Sequence, residues 1–71
     1  MNKQLIDMLM KSAEADKLKA LLSLELLGNH AVGIGDHSTE DFYKNAEEAL
    51  TMLVDADDRI STLNRYFIDK D

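Results

Sequence analysis

The sequence predicts an all-α fold built as an antiparallel two-helix hairpin. The chain of 71 residues contains no proline, the residue that most strongly breaks helices. Its three glycines all lie between positions 28 and 35, so they mark one break in the chain. Apolar residues recur at helical spacing on both sides of that break. With 45% apolar and 31% charged residues, the composition is typical of a folded domain rather than of a disordered chain.

The first predicted helix spans about residues 3–27. Leucine, methionine, alanine, lysine and glutamate favour helix, and the strict apolar–polar alternation of a strand is missing. Gly28 and Asn29 can adopt the left-handed conformation that often follows a helix, so we expect the helix to end at Leu27. Apolar residues at helical spacing form a stripe along this helix, and the stripe is interrupted at Asp16 and Lys17. It consists of Leu5, Leu9, Ala13, Ala20, Leu24 and Leu27.

The second predicted helix spans about residues 39–68. Ser38 or Thr39 can act as the N-cap, and Glu40 and Asp41 suit the positive end of the helix dipole. A repeat of seven residues follows, and it predicts a seam against another helix, with small residues where the two backbones approach closely. The repeat comprises Ala46, Leu53, Ile60 and Phe67, interleaved with Ala49, Ala56 and Leu63.

The hairpin, with a connection at about residues 28–38, cannot bury all of its apolar side chains by itself. A chain this short that lacks disulfides usually needs a metal, an oligomer or very regular helix packing. We therefore expect a homodimer, or a higher helical oligomer, in which hairpins pair into a four-helix bundle. The residues expected to make the contacts are Leu5, Leu9, Leu21, Leu24, Leu27, Leu53, Ile60, Leu63 and Phe67.

Acidic side chains are concentrated in the second part of the chain. Residues 1–28 carry four basic and four acidic side chains, whereas residues 29–71 carry four and ten, which accounts for the net charge of −6. A surface that binds nucleic acid needs clustered lysine and arginine, so we expect no direct nucleic-acid binding. The most apolar stretch, residues 18–27, is interrupted by Lys19 and Glu25 and is too short for a membrane span. Because the absence of cysteine suits a reducing compartment, we expect a cytoplasmic protein.

The connection between the helices contains both histidines of the chain. His30, Asp36 and His37 are residue types that bind zinc, nickel or iron, so one hypothesis is a small metal-binding protein. Their spacing matches no defined metal motif, and the favoured interpretation is that Val32 and Ile34 close the end of the bundle. We therefore expect no metal and no other cofactor.

The acidic residues of the second helix raise two further hypotheses. A calcium-binding EF-hand loop beginning at Asp55 would need glycine and an acid where Ile60 and Tyr66 stand, so this hypothesis fails. An acidic helix face could instead mimic DNA and inhibit a nucleic-acid-binding protein. Enzymatic activity is not expected, since no serine or threonine is placed against a histidine as a nucleophile would require.

The connection also resembles a linker in small proteins of marine tailed phages. The segment that carries the resemblance is His30-Ala31-Val32-Gly33-Ile34-Gly35-Asp36-His37-Ser38. The phage proteins commonly have proline where Ala31 stands, so the linker would be less rigid in this chain. The resemblance implies a helix on each side of the linker and a location in the host cytoplasm, but no activity, because that group has no assigned function.

The residues themselves favour a non-enzymatic protein that acts through protein–protein contact. Its expected partners are copies of itself, and also a protein that the sequence does not identify. The metal-binding and DNA-mimic hypotheses stay open as alternatives.

Overall fold

The computed structural model describes residues 2–29 and 39–68, which form an antiparallel helical hairpin. Helix α1 spans Lys3–Asn29 and helix α2 spans Thr39–Leu63. A π-helical segment, Asn64–Ile68, continues directly from α2. The two helices pack along one another, and the molecule measures 51 × 16 × 15 Å. The predicted all-α hairpin is therefore confirmed for these residues. No helix within the described ranges combines the length and the apolar character that crossing a membrane requires.

The helices meet along a row of small side chains, which we call the alanine seam. It consists of the five buried side chains Ala13, Ala20, Ala49, Ala56 and Leu63. Successive members on each helix are seven residues apart, which is the period of coiled-coil contact. Half-buried side chains occupy the alternate positions of the same face: Ile6, Met10, Lys17, Leu24 and Leu27 on α1, and Phe42, Ala46, Leu53 and Ile60 on α2.

An ion pair between the helices shows their alignment. Nζ of Lys17 lies 3.2 Å from Oδ1 of Asp57. Because antiparallel helices rise equally in opposite directions, counting from this pair places Ala20 of α1 within about one residue (roughly 1.5 Å) of the level of Leu53 of α2. The same count places Ala13 within about one residue of Ile60, Leu24 of Ala49, and Leu27 of Ala46. Small side chains of one helix thus lie level with large side chains of the other, which lets the backbones approach closely.

The apolar stripe predicted on α1 is right from Ala13 onwards and wrong before it. Leu5 and Leu9 are exposed, at 40% and 36%, whereas Ile6 and Met10 are half-buried. Contact with a single partner helix follows alternating steps of three and four residues. Those steps lead back from Ala13 to Met10 and then to Ile6, so Leu5 and Leu9 fall to one side.

The repeat predicted on α2 is confirmed through Leu63 and is wrong at Phe67. The chain becomes π-helical at Asn64. A π-helical turn contains more residues than an α-helical turn, so the seven-residue spacing no longer brings Phe67 onto α1. Phe67 is 43% exposed as a result. The α-helix itself ends at Leu63, five residues before the expected end at residue 68.

Helix α1 begins at residue 3, as predicted, and ends two residues beyond the predicted end. The Asn2 side chain caps it, since its Oδ1 accepts a hydrogen bond of 2.8 Å from the backbone N–H of Leu5. At the other end, α1 continues two residues past Leu27 and includes Gly28 and Asn29. Gly28 is exposed and has open space around it, so nothing nearby forces the helix to stop there. Helix-end signals in a sequence locate an end only to within a residue or two.

Helix α2 begins where the capping signals predicted. Thr39 is its first residue, and the acidic side chains Glu40 and Asp41 lie in the first turn. Carboxylates in that position stabilise a helix by interacting with its positive end. The other predicted cap, Ser38, lies outside the described residues.

Enlarging Ala20 tests the alanine seam. Ala20 is fully buried, so a leucine in its place must push the helices apart, and we expect A20L to lower the free energy of unfolding by about 1–3 kcal/mol. A15L is the matched control, because Ala15 is exposed on the same helix and should change stability by less than about 0.5 kcal/mol. Denaturant titration followed by circular dichroism, at one protein concentration, measures both. Equal losses would contradict the proposed packing.

Candidate interaction surface

Most of the large apolar side chains in the described residues lie outside the alanine seam and are exposed. Single exposed apolar residues are ordinary on a protein surface, but contiguous groups of them mark interaction sites. The exposed set is Leu5, Met8, Leu9, Leu18, Leu21, Leu22 and Leu26 on α1, Tyr43, Leu50, Met52 and Val54 on α2, and Tyr66, Phe67 and Ile68 in the π-helical segment.

Four of these exposed side chains share one side of the hairpin at similar positions along its axis, and we call them the aliphatic patch: Leu18, Leu21, Leu50 and Val54. Leu18 and Leu21 are neighbours on the surface of α1, and Leu50 and Val54 are neighbours on the surface of α2. Leu21 comes directly after Ala20 in the chain, and Leu50 comes directly after Ala49. In an antiparallel pair of helices, the residues that come directly after seam residues lie on the same side of the hairpin. The alignment of the helices places the two pairs within about one turn of each other along the axis. The patch therefore spans both helices.

The opposite side of the hairpin has an ion-pair network at its centre, which we call the Arg59 network. Nη2 of Arg59 donates a hydrogen bond of 2.6 Å to Oδ2 of Asp16 across the helices. Nε of Arg59 lies 3.2 Å from Oδ2 of Asp55 on the same helix. Nε is shielded from water and makes no hydrogen bond, so its contact with Asp55 is an ion pair only. The sequence gives no sign of the cross-helix contact between Arg59 and Asp16.

The two carboxylates change the titration of the arginine. The hydrogen bond to Asp16 raises the pKa of Arg59, the charge of Asp55 raises it further, and partial burial acts in the opposite direction. Arginine is positively charged throughout the ordinary pH range, and these contacts favour its charged form further. Because the side chains of Arg59 and Asp16 are both about a third exposed, water screens their attraction.

Two grooves flank the Arg59 network along this side. One has a volume of about 400 Å³ and lies towards the residue 29 end of α1, and the other has a volume of about 310 Å³ and lies towards the N-terminal end of α1. Charged groups thus divide the apolar surface of this side into two parts. The larger groove is lined by Ser23, Leu26, Leu27, Asn45, Glu48, Ala49 and Met52, and the smaller one by Leu9, Ser12, Asp58, Arg59, Thr62 and Leu63.

Lys17 is a charged residue in a position that otherwise holds apolar residues. It lies between Ala13 and Ala20 on the face of α1 that contacts α2, and it is half-buried. Its Nζ reaches Asp57 at the edge of the seam. The sequence showed only an interruption here. The structure shows that the interruption is filled by ion pairs between the helices.

The structure divides the nine residues predicted to make contacts into two groups. Residues of the first group are buried or half-buried between α1 and α2, so within one hairpin they are already in contact: Leu24, Leu27, Leu53, Ile60 and Leu63. Residues of the second group are exposed and available to another chain: Leu5, Leu9, Leu21 and Phe67. Of these, only Leu21 belongs to the aliphatic patch.

The residues proposed for the connection lie outside the described part of the chain. This holds for the metal-binding hypothesis with His30, Asp36 and His37 and for the closure of the bundle by Val32 and Ile34. Within residues 2–29 and 39–68, no three histidine or acidic side chains lie close enough together to hold a metal ion.

Comparison with known proteins identifies no relative of this chain. No family model, no curated protein and no solved structure matches this chain. A functional proposal therefore depends on the surface chemistry of the hairpin.

Replacing Lys17 tests whether the seam accepts an apolar residue at its centre. We expect K17L to raise the free energy of unfolding by about 1 kcal/mol, because leucine packs between the helices and removes a partly desolvated charge. K19L is the control, since Lys19 is exposed and a leucine there gains little. Chemical unfolding measures both variants. A loss of stability in K17L that is absent from K19L would show that the ion pair outweighs the packing.

A double-mutant cycle tests the Arg59 network. D16N and R59Q should each lower the thermal midpoint, and the double variant should lower it by less than the two losses added together. The exposed pair Lys11 and Glu14, 3.9 Å apart within α1, provides the comparison and should show weaker coupling. Added salt should reduce the coupling of both pairs. Strictly additive losses for D16N and R59Q would contradict the cross-helix contact.

Proposed function

We propose that this chain is a non-enzymatic protein that associates with copies of itself into a four-helix bundle and acts through protein–protein contact. The surface area of the hairpin carries the proposal. The chain exposes 5594 Å², whereas a compact folded protein of 8.0 kDa exposes about 4,500 Å². The difference of about 1,100 Å² exceeds the roughly 800 Å² that each partner buries in an ordinary protein–protein interface.

The composition of the core supports the same proposal. Of the buried apolar side chains in the described residues, four are alanines and one is leucine. Burying a leucine stabilises a protein by about 1.5–3 kcal/mol, whereas the single methyl group of alanine contributes about 0.8 kcal/mol. The alanine seam therefore brings the helices together without supplying the burial that a chain of 71 residues needs.

A second copy of the chain is the partner that the surface suits best. Closed symmetric pairing is the commonest form of protein association, and it requires only that one surface be complementary to itself. The aliphatic patch meets this requirement, because four apolar side chains without charge can pack against an identical group. A cytoplasmic location and the phage relationship remain predictions from the sequence.

The DNA-mimic alternative is less well supported by the hairpin. A mimic of DNA presents free carboxylates in place of phosphates. Asp16 and Asp55 pair with Arg59, and Asp57 pairs with Lys17, so these three carboxylates are partly neutralised.

Sedimentation equilibrium of the purified chain tests the proposed assembly. We expect a mass of twice 8.0 kDa, or a higher multiple, at micromolar concentration. Circular dichroism on the same sample checks that the chain is helical. A fully helical chain that sediments as a monomer throughout the micromolar range would contradict the proposal.

A further inference from the structure

The two sides of the hairpin offer a second copy very different surfaces. The aliphatic patch presents Leu18, Leu21, Leu50 and Val54, of which Leu18 is the most exposed at 61%. On the other side, about one turn away along the axis, lie Asp16, Arg59 and Asp55. A helix packed on the second side would remove these charged groups from water, which costs more than their mutual attraction returns.

Charged and polar groups lie along the helices beyond both ends of the patch. Lys17 and Asp57 lie at one end, where they already pair with each other. Glu25 and Glu47 lie at the other end, one turn along the helices from Leu21 and Leu50 respectively, and both are exposed. An apolar centre within a polar rim is the usual anatomy of a protein–protein interface.

The patch also has the geometry that a bundle requires. Two of its side chains belong to α1 and two belong to α2, all on one side of the hairpin. A partner that binds there would therefore contact both helices together. A second hairpin that presents the same four side chains gives four helices around one apolar centre. Such a pairing leaves the Arg59 network in water.

We infer that a second copy of this chain binds at the aliphatic patch, with the patch of one hairpin packed against the patch of the other. This inference rests on the proposed self-association and adds the surface through which it occurs. In this dimer the opposite side of the hairpin, with its two grooves and the Arg59 network, stays exposed to solvent.

Paired glutamate substitutions on the two sides of the hairpin test the inference. L21E and L50E place a carboxylate within the patch, and we expect each to raise the dimer dissociation constant at least tenfold. The matched controls are L26E on α1 and M52E on α2, which lie on the opposite side and line the larger groove. We expect the controls to change the constant by less than about threefold, since a surface substitution away from the interface has a small effect. Sedimentation equilibrium measures all four variants, and circular dichroism confirms that each is helical.

Mixing complementary variants separates a lost contact from a damaged fold. L50E and L50K should each associate weakly alone, and an equimolar mixture should recover part of the dimer because the opposite charges then lie in the same patch-to-patch interface. A wild-type dimer that is weakened by L26E and M52E but not by L21E and L50E would overturn the inference and leave self-association intact. A wild-type chain that is monomeric would overturn both.

Discussion

The alanine seam is the constraint on which the rest of the hairpin depends. Alanine side chains let two helices approach closely, and they leave little room for large side chains between the backbones. Ala13, Ala20 and Ala56 are fully buried, while Leu18 and Leu22 of the same hairpin are about 60% exposed. The narrow contact thus produces both a small core and a broad apolar surface. The proposed self-association rests on these two consequences of one row of small residues.

The charged layer at the centre of the hairpin gives that seam its alignment. A row of alanines and leucines that repeats every seven residues looks much the same after a shift of one repeat, so it specifies register weakly. Lys17 on α1 and Asp57 on α2 are charged, as are Asp16 and Arg59 beside them, and they pair only in one alignment. Partly desolvated charges contribute little stability, but a mismatched alignment would leave them unpaired between the helices.

The sequence predicts the fold well where its apolar pattern allows only one face of a helix to contact the other helix. On α2 most residues that adjoin the seven-residue repeat are polar, Leu50, Met52 and Val54 being the exceptions. Ala49, Ala56 and Leu63 could therefore be placed on the seam correctly. On α1 leucines occur around much of the helix, so a stripe through Leu5 and the true stripe through Ile6 fit the composition equally well. The seven-residue repeat continues to Phe67 in the sequence and gives no sign of the π-helical segment, Asn64–Ile68. The aliphatic patch could be located only once the antiparallel alignment was known, because its two halves are remote in sequence.

The dependence of the thermal midpoint on protein concentration tests the central claim most directly. If the seam is too narrow to stabilise one hairpin and copies supply the remaining burial, folding and association are coupled, and the midpoint rises by several degrees for each tenfold increase in concentration. Circular dichroism across a hundredfold range of concentration measures this. A midpoint that is the same at every concentration would show that the hairpin is stable alone, and it would contradict the account.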